Sequence, residues 1–333
     1  MTNGFLAFKR LLAAVLFLGP ALTVAAQERA LQFNLAYSSI SASQALVRVI
    51  KDAGIFQRNG LDPTLIFVSG GGRVIQAVIA GDVPVAVLSG EPAILARLQG
   101  ADTMILAGLV NIMDFSIISA PEVKRPQDLK GKKLAVSRFG SSTDFVARYG
   151  LQKWGLIPAQ DVAVLQIGSQ PDRFTALKSG AVQAAVVGPP ADIIARRTGF
   201  NELVTAEELN LAYPNTCVVT TASAMSKNED LLKRTLKAFV EGIHFFKTQK
   251  EPTLRSLDAF IRLGDGRLLE ETYQHYDRIF ARVPYVDTKG IQNVLSELAK
   301  KDQKAKMAKA ESFVENRFLR ELEAGGIVQR LYR

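Results

Sequence analysis

Val68-Ser-Gly-Gly-Gly-Arg-Val-Ile-Gln-Ala-Val-Ile-Ala-Gly-Asp-Val-Pro-Val-Ala-Val-Leu-Ser-Gly-Glu91 is the stretch whose reading decides the fold. Leu65 to Val68 is apolar and partly β-branched, which suits a parallel strand covered on both faces. Gly70-Gly71-Gly72 turns the chain sharply and lets a ligand approach the backbone. Val74, Ala77 and Val78 recur at helical spacing, and Gly81 stops the helix. Val83 to Leu88 reads as the next strand, followed by the polar loop Ser89-Gly90-Glu91. In open α/β sheets ligands sit beyond the carboxyl ends of the strands, so both polar loops should face one cleft.

The unit recurs at an offset of 99 residues, in Arg173-Phe-Thr-Ala-Leu-Lys-Ser-Gly-Ala-Val-Gln-Ala-Ala-Val-Val-Gly-Pro189. Ala77 matches Ala176, Gly81 matches Gly180, and Ala86-Val87 match Ala185-Val186. A Gly-Leu-x-Pro precedes each copy, at Gly60 to Pro63 and at Gly155 to Pro158. The repetition predicts two similar α/β lobes facing each other.

The chain has 333 residues, enough for two domains, and a hydrophobic share of 48% supports sizeable cores. Residues 1–26 read as a secretory signal. Lys9-Arg10 precede the apolar run Leu11 to Leu18, Gly19-Pro20 breaks it, and Val24-Ala25-Ala26 is a small-residue cleavage site. The run is shorter than the ~20 residues a spanning helix needs. Cleavage would change the net charge from +9 to +7, since Lys9 and Arg10 leave and no acid does. The basic residues are scattered. Their densest group, Lys300, Lys301, Lys304, Lys306 and Lys309, lacks aromatic interleaving and reads as a solvated face, so no nucleic-acid partner is expected. The single cysteine, Cys217, lies in an apolar run and reads as a buried small hydrophobe. His244 and His275 lie in helical stretches without ligand-spaced partners, so neither a metal nor a histidine-based catalytic set is expected.

Further strands are expected at Leu31 to Tyr37, Met104 to Val110, Phe115 to Ser119, Lys133 to Val136, Val162 to Ile167, Ala184 to Val187 and Asn215 to Thr220. Asn111 to Ser119 reads as the crossing to the second lobe, and Asn215 to Thr220 as the return. This divides the chain into the signal at 1–26, the first lobe at 27–115, the second at 116–220, and the rest of the first lobe with C-terminal helices at 221–333. Ser226-x-x-Glu229 has the form of a capping box for a long amphipathic helix.

Three loops combine small residues, hydroxyls and a following helix: Ser38 to Ser41, Ser69 to Arg73 and Ser137 to Ser142. Free backbone N–H groups and the positive end of the helix dipole make such loops sites for an anion or a polar head group; ordinary capped turns have the same composition. The candidate ligand contacts are Ser38, Ser39, Ser41, Gly71, Gly72, Ser89, Ser141 and Ser142, with Asn111 and Gly188 at strand ends. Arg73 and Arg138 are candidate clamps for a planar oxyanion. Glu91 is a candidate for a polar or amino group, and Phe139 for stacking on a flat ligand. No nucleotide-binding loop or dinucleotide fingerprint is present, and no cofactor is expected.

Ala53-Gly-Ile-Phe-Gln-Arg-Asn-Gly-Leu61, Gly81-Asp82 with Ala86-Val87, Arg125-Pro-Gln-Asp-Leu-Lys-Gly-Lys-Lys-Leu-Ala-Val136, and the Arg173 to Val186 segment give the chain a family likeness. It resembles the substrate-binding proteins of ABC importers of the nitrate/sulfonate/taurine and thiamine-precursor type, over roughly Leu31 to Leu263. The resemblance implies a type 2 periplasmic binding fold, α/β, with a ligand held between two lobes that close by a hinge motion. It further implies a periplasmic, non-catalytic, monomeric protein that delivers a small anionic or heteroaromatic molecule to a membrane permease. Two other roles stay open at this point: an enzyme on the same scaffold, using Arg138 or Glu91, and the ligand-binding subunit of a sensor. Enzymes of this superfamily that make a thiamine pyrimidine carry a cysteine-rich motif that is missing here.

Overall fold

A computed structural model describes residues 30–209 and 211–333, and the expected signal at 1–26 lies outside the described residues. Among the described residues ten strands form two five-stranded sheets. In chain order they are β1 (Leu31–Tyr37), β2 (Leu61–Phe67), β3 (Val85–Leu88), β4 (Thr103–Ile112), β5 (Ser116–Ser119), β6 (Lys133–Val136), β7 (Ala163–Gln166), β8 (Ala184–Val187), β9 (Asn201–Val204) and β10 (Ala212–Thr221). The first sheet has the order β2-β1-β3-β10-β4 and the second β7-β6-β8-β5-β9.

The two orders are the same pattern. β1, β2 and β3 run parallel to one another, as do β6, β7 and β8. In each sheet the fourth strand is antiparallel and is the one the chain enters from the other sheet: β10 beside β3, and β5 beside β8. The chain therefore crosses between sheets twice, from β4 to β5 and from β9 to β10. Met113 N donates to Leu211 O at 2.9 Å, so the crossings run side by side.

The strand sequences explain the layers. Successive residues point to opposite faces. In β3, Ala86 and Leu88 enter one core while Val85 and Val87 enter another. In β8, Ala184 and Val186 join the first of these cores, and Ala185 and Val187 a third. One core thus runs through both lobes on a shared flank, and each lobe has a second core of its own. Helices cover both faces, as continuous apolar strands require. Gly81 and Gly180 both end their helices in positive-φ backbone, at φ 85° and 75°, which accounts for glycine at both matched positions.

Two expectations need correction. The return strand begins at Ala212 rather than Asn215 and pairs within the first sheet, so the chain is back in the first lobe before residue 212 and not at 220. Pro214 lies within this strand. It is accommodated where the β10–β4 register shifts between Ala212 and Thr216, and a shift of this kind tolerates a missing N–H. Nor is Ser226-x-x-Glu229 a capping box. Ser226 lies inside the helix Ala222–Lys227 and donates to Ala222 O at 3.2 Å, while the long helix Glu229–Thr248 starts after Asn228.

The C-terminal helices pack on the first lobe. Phe239, Ile243 and Phe246 of the helix Glu229–Thr248 share a core with Leu46, Ile50, Tyr276 and Phe318. The helix Thr288–Leu298 lies against β10, where Gly290 allows close approach: a Cβ there would meet the Tyr213 backbone at 3.0 Å. No helix among the described residues is long and apolar enough to cross a membrane.

Candidate functional site

A small cavity of about 30 Å³ lies where the two sheets face each other. For scale, one water needs about 10–15 Å³. Its wall in the first lobe includes Ser38, Ser39, Ser41, Gly71 and Ser89. The wall in the second lobe includes Ser137, Ser141, Ser142, Thr143, Ser169 and Arg173. Above the cavity the lobes touch. A Cβ on Gly70 would lie 2.5 Å from Arg138 Cγ, and one on Gly168 3.8 Å from Ser69 Oγ.

The local folding explains this composition. Four helices, Gly71–Ala80, Gly90–Leu98, Ser142–Lys153 and Gln170–Lys178, begin at the cavity, with first-turn or cap residues in its lining. The first four N–H groups of a helix have no intrahelical partner, and the helix end carries roughly half a positive charge. Ser169 caps its helix in the usual way, accepting from Asp172 N at 3.3 Å. Ser89 and Ser141 make no such cap bond. The Ser141 hydroxyl instead donates to Arg138 O at 2.6 Å and lies 2.8 Å from Ser137 Oγ and 3.0 Å from Thr143 Oγ1. On the opposite wall Gln44 Oε1 accepts from Ser38 N and Ser39 N, fixing that loop.

The electrostatic centre is Arg173. It is 3% exposed, with Nε donating to Val186 O at 2.9 Å and Nη1 to Gly168 O at 2.6 Å. The adjacent carboxylate of Asp172 is engaged by Ser169 N and Oγ rather than by the guanidinium. Burial pushes the Arg173 pKa down to about 10, partly offset by Asp172, so the group stays charged at neutral pH. Among the described residues no carboxylate and no histidine lines the cavity. A buried cation without a counter-ion is costly, and an incoming anion would relieve that cost.

Of the residues expected from sequence, Ser38, Ser39, Ser41, Gly71, Ser89, Ser141 and Ser142 come together in this cavity. Seven others stand elsewhere. Gly72 is in the first helical turn with open space beside it. Arg73 is exposed on the same helix. Arg138 closes the mouth with its side-chain methylenes against Gly70, and its Nε is buried without a protein partner. Phe139 is 50% exposed and lies under the Arg148 guanidinium. Asn111 ties β4 to the segment 285–287 through Tyr285 O and Asp287 N. Gly188 is held by Gln170 through its N–H and its carbonyl.

Glu91 faces away from the cavity, into a separate crevice of about 360 Å³. It is 4% exposed and accepts from the Tyr213 hydroxyl at 2.8 Å. Burial pushes its pKa up to about 8; the Tyr213 bond opposes this and Asp144 adds to it.

Arg173 was missed as a site residue, although the repeat contains its signal. It stands 99 positions after Val74, and both are buried on equivalent helices with Val78 and Leu177 one turn on. An arginine at a core position of an amphipathic pattern calls for a buried polar environment. His275, on the helix Gly266–Ile279, is partly buried. It has a partner, Asp114, at 2.8 Å. Cys217 is buried, as its apolar neighbours implied.

A family model described as NMT1/THI5 like matches residues 44–252. Over 233 residues the chain is 26% identical to the Bacillus subtilis (strain 168) protein named "Putative binding protein YtlA", spanning 68% of this chain and 70% of that one. Among solved structures, a protein of Bordetella bronchiseptica RB50 superposes with a TM-score of 0.79 at 21% identity, covering 89% of this chain and 98% of its own. The alkanesulfonate-binding protein SsuA from Xanthomonas axonopodis pv. citri, bound to MOPS, gives 0.69 at 16% identity, covering 86% and 98%. At these identities the two solved structures bear on the fold alone. That fold, two wound lobes facing one cavity, is the periplasmic-binding-protein fold.

Proposed function

The chain belongs to the NMT1/THI5-like family, and from this membership and the cavity we propose that it is an exported solute-binding protein that captures a small oxyanion between its lobes. The observation that carries the reading is Arg173, a buried guanidinium that pairs with no carboxylate among the described residues, set among serine hydroxyls and four helix N-termini. Such fixed dipoles act strongly on an anion because little water remains to screen them. The size of the cavity favours a compact head group such as a nitrate or sulfonate over a flat heterocycle, and among the described residues Phe115 is the only aromatic one in its wall. Alkanesulfonate binding, as the name of the Xanthomonas protein states it, is the same chemistry.

A thermal-shift screen tests this. Nitrate, methanesulfonate, longer alkanesulfonates and short carboxylates are compared with neutral pyrimidines. A ligand present at a hundred times its Kd stabilises by about 2.7 kcal/mol. At least one oxyanion should raise the melting temperature by several degrees, and neutral pyrimidines should not. Stabilisation by neutral heterocycles alone would overturn the reading, and turnover of a bound compound would replace it with an enzyme. Delivery to an ABC permease and a periplasmic location follow from the same proposal. Co-purification of the exported protein with a permease and an ATPase tests the first, and periplasmic release on osmotic shock tests the second.

A further inference from the structure

Glu91 is a buried carboxyl for which oxyanion capture has no use. The crevice it faces, about 360 Å³, shares no lining residue with the Arg173 cavity. Its first-lobe wall includes Leu95, on the helix Gly90–Leu98 with Glu91, and Leu298, at the end of the helix Thr288–Leu298. Its second-lobe wall includes Phe145 and Arg148, on the helix Ser142–Lys153. A Cβ on Gly140 would lie 3.4 Å from Leu95 Cδ1, so the lobes meet at its edge. Small-molecule sites run from about 300 to 1,000 Å³, and the crevice falls within that range.

The charged groups around it are mostly engaged. Asp144 accepts from Gly140 N at 3.0 Å and from Arg148 Nε at 2.9 Å. Glu297 is paired with Lys300. Asp302 accepts from Lys304 N at 2.8 Å, and Lys301 is exposed to solvent. Glu91 differs from all of these. Its Oε2 accepts from the Tyr213 hydroxyl, while Oε1 accepts from no described residue. Among the described residues four acids and three bases line the crevice, so an ionised Glu91 leaves it with one negative charge. A buried carboxyl group needs either a counter-charge or a proton.

We propose that this crevice is a second binding site, for a primary or secondary ammonium ion carried on a small apolar body. An ammonium N–H donates to Glu91 Oε1, and the apolar body lies among Leu95, Phe145 and Leu298. The ammonium supplies the missing counter-charge where little water screens it. Without a ligand, burial holds the Glu91 pKa at about 8, so the carboxyl keeps its proton at neutral pH. The arriving ammonium displaces that proton to solvent. No bond in the ligand changes, and at pH 7 each molecule bound releases close to one proton. Because both lobes form the walls, an occupant also ties them together. The site does not depend on what fills the Arg173 cavity.

Benzylamine and cyclohexylmethylamine are the probes, with benzyl alcohol and benzoate as their uncharged and anionic counterparts. Each is titrated calorimetrically into the whole protein, and a pH-stat in unbuffered sodium chloride at pH 7 counts protons. The amines should bind and release close to one proton. The alcohol and benzoate should bind more weakly and release none. Glu91→Gln keeps an acceptor for Tyr213 but carries no charge. Its amine affinity should fall about tenfold to a hundredfold, the loss expected for a hydrogen bond to a charged group, and proton release should vanish. Leu298→Trp leaves Glu91 in place and fills the crevice, so it should abolish amine binding while the protein still melts cooperatively. Nitrate and methanesulfonate should bind both variants as they bind wild type. The site is overturned if no amine binds at millimolar concentration, if benzyl alcohol binds as well as benzylamine, or if either variant binds amines like wild type. Amines that compete with nitrate would belong to the Arg173 cavity, which overturns the second site and leaves the oxyanion reading standing. Failure of every oxyanion overturns that reading alone, since the amine titrations decide the crevice by themselves.

Discussion

Arg173 stands in the second lobe where Val74 stands in the first, each buried on the helix that follows the second parallel strand of its sheet. The scaffold is repeated but the chemistry is not. In one copy this position packs a core; in the other it points a cation at the space between the lobes. The asymmetry gives the cavity its sign, since the remaining lining is hydroxyl, amide, backbone and the uncharged ring of Phe115.

Glu91 makes stability depend on pH. Its pKa is raised by burial from 4.5 to about 8, so the folded chain holds this proton more tightly than the unfolded chain. The contribution is present in full below about pH 4.5 and is lost as pH rises towards 8. Asp192, raised by burial to about 6, works in the same direction over the lower part of that window. Urea unfolding at pH 5, 7 and 8.5 should show falling midpoints. Glu91→Gln, which keeps an acceptor for Tyr213, should flatten the slope between pH 5 and 8. An unchanged slope in Glu91→Gln contradicts the assignment.

Gly188→Ala should destabilise the fold. The added methyl meets the Asp114 carbonyl oxygen at 2.6 Å, a backbone atom that cannot rotate away. Overpacking of this kind costs about 1–3 kcal/mol. The change in denaturation midpoint checks it, and a neutral result would mean that the β4–β5 crossing moves freely.

Residues 1–26 should be absent from the exported protein. N-terminal sequencing of periplasmic material should begin at Gln27, after the small residues Val24-Ala25-Ala26. Retention of Lys9-Arg10 in the mature protein would point to an anchor instead.

Parts of the fold were plain in the sequence because they rest on local pattern. β1, β6 and β8 coincide with their apolar runs. The turn glycines Gly81 and Gly180 mark helix ends because only a residue without a side chain takes that backbone easily. β9, Asn201–Val204, was not legible: it is four residues long, half polar, and at the edge of its sheet. In the site, the serine loops were readable because small and hydroxyl-bearing residues between a strand and a helix are a local pattern, although ordinary capped turns share it. The Asp114–His275 pair was not, because its members are 161 residues apart and only the packed C-terminal helices join them. Arg73, a candidate clamp from sequence, is turned to solvent by its helix, and only the packing of the second lobe shows Arg173 buried at the cavity.

The most direct test of the central claim is a calorimetric titration of wild type and Arg173→Gln with the oxyanion that stabilises the protein best. Removing one partner of a buried, hydrogen-bonded charge pair costs about 2–5 kcal/mol, or roughly thirtyfold to several thousandfold in Kd. The account predicts a loss in that range, with the unliganded variant melting no lower than wild type because an uncompensated buried cation has been removed. An Arg173→Gln protein that binds the anion as tightly as wild type would contradict it.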